Sequence, residues 1–307
     1  MNPTVSVIMP TYNRSGLLKL AVESVLMQDF TDYEIIITDN CSTDDTAAVV
    51  AALSDKRIRY FLNPVNIGLT RNYNRALSLA TGKYIAVFSD DDVMLPGNLT
   101  AKVKVLNQYS SVGLVHSNTK EIDGQGIVIN DKHSQGWNSR IWSEMTNKPL
   151  MSGKRAYDIL YDEWNFVSMP TVMMRKSLLD DAKIEFNNQL IFILDWDMWL
   201  NIARLNDFYF IEEPLVQIRT HGMNLTTKSS GAIIFRERII SKICLLQPNE
   251  ISDDVDGVIA RVLSSLHTQH LFLQAEMPTQ FDLLKVHVKR MIPYGLRKQF
   301  KKLIRRK

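Results

Sequence analysis

The chain has 307 residues, 45% of them hydrophobic and 22% charged, which is ample for a buried core and excludes wholesale disorder. Its two cysteines, Cys41 and Cys244, exclude a disulfide scaffold and are too few for a structural zinc site. The formal charge of +3 hides a division: residues 283–307 hold ten Lys/Arg and no acid, leaving 26 basic against 33 acidic residues elsewhere, a body near −7 that does not suggest nucleic-acid binding.

In chain order, short β-branched runs occur at Val5–Met9, Glu34–Thr38, Ile58–Leu62 and Tyr84–Phe88. Helical patterns at Gly16–Met27, Asp44–Leu53 and Leu69–Ala80 lie between them. Near-continuous apolar strands alternating with helices predict a parallel sheet covered on both faces. Asp44 is expected to cap the second helix, and Gly82 stands where the third should stop. After Leu95-Pro96 come a helix to about Gln108, a strand at Val112–His116, a turn at Asp123-Gly124 and a strand at Ile127–Ile129. Residues 131–149 read as a polar loop able to order over a ligand. Thr171–Met174 reads as a strand, Asp195–Leu205 as an amphipathic helix, and Phe208–Arg219 as a strand interrupted by Pro214. The chain from about Gly231 onward reads as mostly helical.

Ligands of such sheets bind at the carboxyl ends of the strands. Pro10–Arg14, Asp39–Asp44, Asn63–Arg71 and Ser89–Asp92 fall there, so one polar rim is expected to collect them. The adjacent carboxylates Asp90, Asp91 and Asp92 repel one another unless a cation shares them, and an oxygen cluster of this kind suits Mg²⁺ or Mn²⁺ completed by phosphate oxygens. A solvated acidic turn before Pro96 is the structural alternative. For Asp39 that alternative is an Asx-turn, for Gly68 a left-handed turn, and for Asp195 a helix N-cap.

The ordered set VSVIMPTYNR (5–14), DNCSTDDT (39–46), Asn66-Ile67-Gly68 with Arg71-Asn72, TGKY (81–84) and SDDD (89–92) with Leu95-Pro96 resembles the inverting, nucleotide-sugar-dependent glycosyltransferases of family 2, which share the GT-A fold. The resemblance covers roughly residues 3–225 and is strongest over the first hundred. It implies an α/β GT-A fold: a Rossmann-like nucleotide-binding half and an acceptor half around one mixed, mainly parallel sheet. On that reading residues 1–110 form the nucleotide-sugar half, 111–228 the acceptor half, and 229–307 a helical extension ending in a basic amphipathic tail.

By the same resemblance Pro10, Thr11, Tyr12 and Arg14 line the nucleotide pocket, and Asp39 accepts from the N–H of a uracil or thymine ring. Asn66, Gly68 and Arg71 flank base and diphosphate, and Asp90 faces the ribose. Asp91, Asp92 and His221 are the implied metal ligands for Mn²⁺ or Mg²⁺. The family often writes the acidic element Asp-x-Asp-Asp, and Ser89 occupies its leading position, which leaves the working pair open. Leu194-Asp195-Trp196-Asp197 resembles the acidic pair opening the helix beneath the acceptor, with Leu194 replacing the first member. Asp195 is then the catalytic base, Asp197 the fallback, and Trp196 either a stacking platform for an acceptor sugar or a core residue. Arg219-Thr220-His221-Gly222-Met223-Asn224-Leu225-Thr226 resembles the family's late Arg-x-His turn.

The implied activity is inverting hexosyl transfer from a nucleoside-diphosphate sugar, UDP- or dTDP-linked, to a hydroxyl of a glycan or lipid-linked saccharide in cell-surface polysaccharide synthesis. The first turn lacks the Gly-x-Gly-x-x-Gly of nicotinamide enzymes, and no P-loop occurs. The competing reading is a nucleotide-sugar-binding or assembly protein without catalysis, with Ser89 and Leu194 as degenerate positions. Neither a signal-peptide core nor an apolar run of bilayer length is visible, so a cytoplasmic protein is expected. Its tail, with Leu296, Phe300, Leu303 and Ile304 among cations, suits an anionic membrane surface at the inner face of the cell membrane.

Overall fold

The computed structural model describes residues 2–131, 139–163 and 165–222, together with residues 233, 234, 237, 238, 241, 242 and 245. Met223–Thr226 of the late motif, most of the C-terminal extension and the basic tail lie outside the described residues. The chain divides into two compact units, 1–160 with 165–227, and 161–164 with 228–307. In the second unit, Lys242 is buried and its Nζ donates to the Tyr161 carbonyl at 2.7 Å.

The first unit opens with the alternation read from the sequence: β1 (Val5–Thr11), α1 (Ser15–Leu26), β2 (Tyr33–Asp39), α2 (Thr46–Leu53), β3 (Ile58–Leu62), α3 (Leu69–Leu79) and β4 (Tyr84–Val87). β1 pairs in parallel with both β2 and β4, and β2 with β3. Every residue of β1, β2 and β4 is buried, as strands covered on both faces require. Next come β5 (Val93–Met94), α4 (Asn98–Gln108), β6 (Val112–Ile122), β7 (Val128–Asn130), α5 (Ser139–Asn147), β8 (Leu150–Met151), α6 (Gly153–Asp162), β9 (Met173–Arg175), α7 (Lys176–Ala182), α8 (Leu194–Ala203) and β10 (Asp207–Arg219).

All ten strands form one sheet in the order β3-β2-β1-β4-β9-β6-β10-β5, with β7 on β6 and β8 on β10. β9 runs antiparallel to both β4 and β6, so it joins the parallel half to the second half. β10 follows β6 in parallel and slips register on either side of Pro214, which has no N–H for the ladder. The sheet is thus mixed and mainly parallel.

Three local expectations shift. Residues 139–147 are helical rather than loop, because Ile141 and Met145, four apart, are buried on one face of α5. Thr171 ends a 3₁₀ turn (Met169–Thr171), and the strand begins at Met173. The cap position of α2 is Asp45, while Asp44 binds two helix starts at once: Oδ1 accepts from Thr46 N at 3.1 Å and Oδ2 from Ser15 N at 2.9 Å. At the opposite end of the strands, Gly82 lies against β1, where a Cβ would come within 2.6 Å of Ser6 N. Its N–H donates to Ser6 Oγ, which donates to Glu34, so the Thr81-Gly82-Lys83 motif serves strand packing far along β1 from the rim.

Candidate active site

The carboxyl ends of β1, β2, β3 and β4 carry the rim. Pro10 and Thr11 close β1 beside Thr38 and Asp39 of β2. Beyond them Asn13 takes a left-handed backbone and accepts from Thr43 N at 2.7 Å, zipping the β1–α1 and β2–α2 loops together. Tyr12 is 45% exposed there, leaving its ring accessible. Arg14 immediately precedes α1 and turns inward to the acidic turn, donating to Asp90 Oδ1 at 3.0 Å and Asp91 Oδ2 at 2.7 Å. Thr11 Oγ1 donates to the other Asp90 oxygen at 2.8 Å.

Asp90, Asp91 and Asp92 are all buried. Burial and the Asp91 charge raise the Asp90 carboxyl against the pull of Arg14 and Thr11. Burial and Asp91 raise Asp92 likewise. Although burial works against it, Asp90 and Asp91 hold the Arg14 guanidinium above its ordinary value. Asp92 is tied to the end of β10, its Oδ1 accepting from Arg219 N at 2.9 Å. The buried Arg219 side chain completes the tie: Nε donates to the Asp91 carbonyl at 2.9 Å, and a terminal nitrogen to the Asp123 carbonyl at 3.1 Å. His221 Nε2 then lies 3.2 Å from Asp91 Oδ2.

That pair fits a divalent cation. Two neighbouring ligands of one octahedral Mg²⁺-sized ion stand about 3 Å apart, and a carboxylate with an imidazole suits Mn²⁺ or Mg²⁺ whose remaining positions go to phosphate oxygens and water. Among the described residues no three His, Cys, Asp or Glu side chains converge on one point, so the protein side of such a site is sparse.

The nucleotide side is held by a net of amides. Asn40 Oδ1 accepts from Ile67 N at 2.8 Å, and its Nδ2 donates to Asn66 Oδ1 at 2.8 Å. Asn66 Oδ1 also receives Gly68 N at 3.0 Å. Asn63 Nδ2 bridges Asn40 and Asn72, and Asn72 Nδ2 reaches the Thr38 carbonyl at 2.7 Å. Gly68 has φ +86° with open space where a Cβ would stand, a conformation costly for other residues beside a free surface. Arg71 is exposed on the first turn of α3. Asp39 is 1% exposed; Oδ1 accepts from Ser42 N at 2.8 Å, an Asx-type closure, and Oδ2 from the Tyr60 hydroxyl at 2.5 Å. Each oxygen retains a lone pair.

Asp195 occupies the first turn of α8, one residue inside the helix rather than at its cap, which is Ile193. Its part-buried Oδ2 accepts from Asn165 Nδ2 at 2.9 Å. Burial outweighs that bond and the backbone N–H groups of the helix start, pushing the carboxyl up to about 6. Asp197, two residues on, is buried. Trp196 is a core residue: it is 1% exposed and its Nε1 donates to the Leu160 carbonyl at 2.8 Å, so it offers no stacking face. Asn165, Tyr60 and the roles of Asn40 and Asn63 escaped the sequence reading. The density of asparagine at strand ends was the one available signal for the amide net.

A mixed sheet carrying a buried acidic turn at the β4 end, with a histidine returned to it by the last strand, defines the GT-A class of nucleotide-sugar folds. The chain belongs to glycosyl transferase family 2, whose family model matches residues 6–182. It is 32% identical over 217 residues to the GalNAc(5)-diNAcBac-PP-undecaprenol beta-1,3-glucosyltransferase of Campylobacter jejuni, covering 67% of this chain and 62% of that protein. Over 126 residues it is 37% identical to WcaA of Escherichia coli K12, named for colanic acid biosynthesis, covering 40% of this chain and 45% of WcaA. The matched region thus spans less than two thirds of either relative. Among solved structures, Staphylococcus aureus TarS 1–349 with UDP-GlcNAc superposes with TM-score 0.69 at 19% identity, covering 95% of this chain and 82% of that one. The mannosyltransferase PcManGT of Pyrobaculum calidifontis with GDP-Man and Mn²⁺ gives 0.56 at 16% identity, covering 99% and 85%.

Proposed function

We propose that the chain is an inverting glycosyltransferase that moves a sugar from a UDP- or dTDP-sugar to a hydroxyl of a glycan or lipid-linked saccharide, with Asp195 as general base. The carrying observation is the Asp195 carboxyl. It is part-buried, oriented by Asn165 and raised to about 6, which leaves it ionised at neutral pH yet basic enough to take a proton.

The residues divide the work. The amide net holds the loop 63–68 and Gly68 open to a nucleotide, Tyr12 offers a ring to the base, and Arg71 offers charge to the diphosphate. Thr11 and Arg14 fix Asp90 toward the ribose. Asp91 and His221 would hold the divalent cation, with Asp92 behind them bracing β10. When bound, that cation supplies positive charge for the departing nucleoside diphosphate. Asp195 accepts the proton of the acceptor hydroxyl as it attacks the anomeric carbon, and direct displacement inverts that centre without a sugar–enzyme bond.

The relatives support the donor and acceptor classes. TarS was solved with UDP-GlcNAc, and the Campylobacter enzyme is named for a saccharide on undecaprenyl diphosphate. Among the described residues no helix is long and apolar enough to cross a membrane, so contact with a lipid-linked acceptor would fall to a peripheral element such as residues 283–307.

The test is a thermal-shift screen of UDP-glucose, UDP-GlcNAc, dTDP-glucose and GDP-mannose with Mn²⁺, followed by transfer assays on wild type and Asp195→Asn. A UDP- or dTDP-sugar should stabilise both forms, while transfer disappears from the variant. Donor binding with no transfer by wild type to any glycan or lipid-linked acceptor would establish the non-catalytic binding protein instead.

A further inference from the structure

Arg14 and His221 meet on one oxygen. Arg14 Nη1 lies 2.7 Å from Asp91 Oδ2, and His221 Nε2 lies 3.2 Å from the same atom. The same Arg14 nitrogen donates to Asp90 Oδ1 at 3.0 Å, so its two N–H bonds are divided between two of the three carboxylates of the acidic turn. Both aspartates are also held by bonds independent of Arg14: Thr11 Oγ1 donates to the other Asp90 oxygen at 2.8 Å, and Arg219 Nε to the Asp91 carbonyl at 2.9 Å.

The Arg14 backbone is anchored from both sides. Asn13 N donates to Ser42 Oγ at 2.8 Å, Ser15 N to Asp44 Oδ2 at 2.9 Å, and Leu18 N to the Arg14 carbonyl at 2.9 Å. Movement of the guanidinium is therefore a change of side-chain torsions, and bonding Asp90 alone needs only a short one because that contact already exists. A divalent cation held by Asp91 and His221 would use Asp91 Oδ2, the carboxylate oxygen that faces the imidazole. There it would meet the guanidinium across a single oxygen atom, beside buried carboxylates, where like charges repel far more than in water.

We propose that Arg14 is the exchangeable cation of the acidic turn: it shares Asp91 Oδ2 until a divalent cation takes that oxygen, and then bonds Asp90 alone. This rests on the reading of Asp91 and His221 as a metal pair. The guanidinium that leaves Asp91 settles on the carboxylate assigned to the ribose, so metal binding and the setting of Asp90 become one coupled event. Arg14 is then a positioning residue for Asp90 and a competitor of the metal. Competition has a sign that a structural role lacks. Removing a competitor tightens metal binding, whereas removing a group that merely supports the site loosens it.

Arg14→Gln in the full chain is the test, with Arg71→Gln as the control for simple loss of charge, since Arg71 is exposed on the same rim. Each protein is titrated with Mn²⁺ alone, and free Mn²⁺ is counted by electron paramagnetic resonance. Arg14→Gln should bind Mn²⁺ about 5- to 50-fold more tightly than wild type, and Arg71→Gln within about twofold of it. Without metal Arg14→Gln should melt below wild type, and one fixed concentration of Mn²⁺ should raise its melting temperature by more. Unchanged or weaker Mn²⁺ binding by Arg14→Gln, or equal tightening by Arg71→Gln, would overturn the exchange. Should Arg14→Gln not fold, the anomalous signal of Mn²⁺ in crystals of wild type decides. Metal on Asp91 with Arg14 moved out of reach of Oδ2 supports the exchange, and metal there with that bond intact overturns it. If neither wild type nor the variants bind Mn²⁺, alone or with UDP, the metal reading of the site fails first, and the exchange with it.

Discussion

At the scale of single residues, the Asp195 carboxyl makes two predictions that do not depend on each other. As a base it must be ionised, so transfer should rise with pH through about 6 and then level. Asn165→Ala removes the bond that favours the ionised form and should move that limb to higher pH, whereas a merely structural loss would lower the rate at every pH. Asp195→Asn should cut the turnover number by about 10²- to 10⁴-fold. The second prediction concerns stability. The native carboxyl lies above the ordinary value of 3.8, so the folded chain binds the proton more tightly than the unfolded one. Metal-free wild type should lose stability as pH rises from about 4 to 6, on the order of 2 kcal/mol, and Asp195→Asn should lack that part of the loss. Denaturant titrations of the two at pH 4.5 and 7 measure the difference, and identical pH dependence would remove the buried-carboxyl account. Asp195 was picked out because Leu194-Asp195-Trp196-Asp197 resembles the family's acidic pair at a helix start. Its partner Asn165 was not, since it lies thirty residues upstream in a segment without periodicity.

At the scale of elements, the join between β2, β3 and α3 decides whether the nucleotide edge has a shape. The four asparagines Asn40, Asn63, Asn66 and Asn72 replace backbone pairing where the strands have ended. Asn72 is 1% exposed, and Asn72→Leu would take the side-chain donor from the Thr38 carbonyl and leave the buried Asn63 amide with only its bond to Asn40. The expected cost is about 2–4 kcal/mol, read from the denaturant midpoint, with unchanged m-value if the fold is otherwise kept. A change below about half a kcal/mol would mean the net is dispensable. The first four strands and three helices were readable because apolar runs covered on both faces leave one arrangement. The antiparallel insertion of β9 was not, as three residues cannot declare their partners. α5 was missed because its buried face consists of Ile141 and Met145 alone within a polar stretch. The site follows the same rule: strand ends could be placed from the sequence, whereas Arg219 joining the Asp91, Asp123 and Gly124 carbonyls depends on a contact across more than ninety residues.

At the scale of the whole molecule, the charge is distributed as two opposed populations, and this determines how the protein should meet a surface. An acidic body near −7 is repelled by anionic lipid, while ten cations within residues 283–307 are attracted, each by about 1 kcal/mol close to the surface. Four apolar residues at helical spacings, Leu296, Phe300, Leu303 and Ile304, would add burial to that attraction. These opposing terms make binding steeply dependent on salt, because both are screened beyond about 10 Å at 0.1 M. The full chain should float with vesicles containing phosphatidylglycerol at low salt and stay behind with pure phosphatidylcholine. A chain ending at residue 282 should remain in solution in both cases while still melting cooperatively. A full-length variant with Lys298, Lys301, Lys302 and Lys307 changed to glutamine tests the charge without removing the segment, and should need less salt for release. If the shortened and full chains partition alike, the tail is not the anchor, and the acceptor must be reached through the body alone.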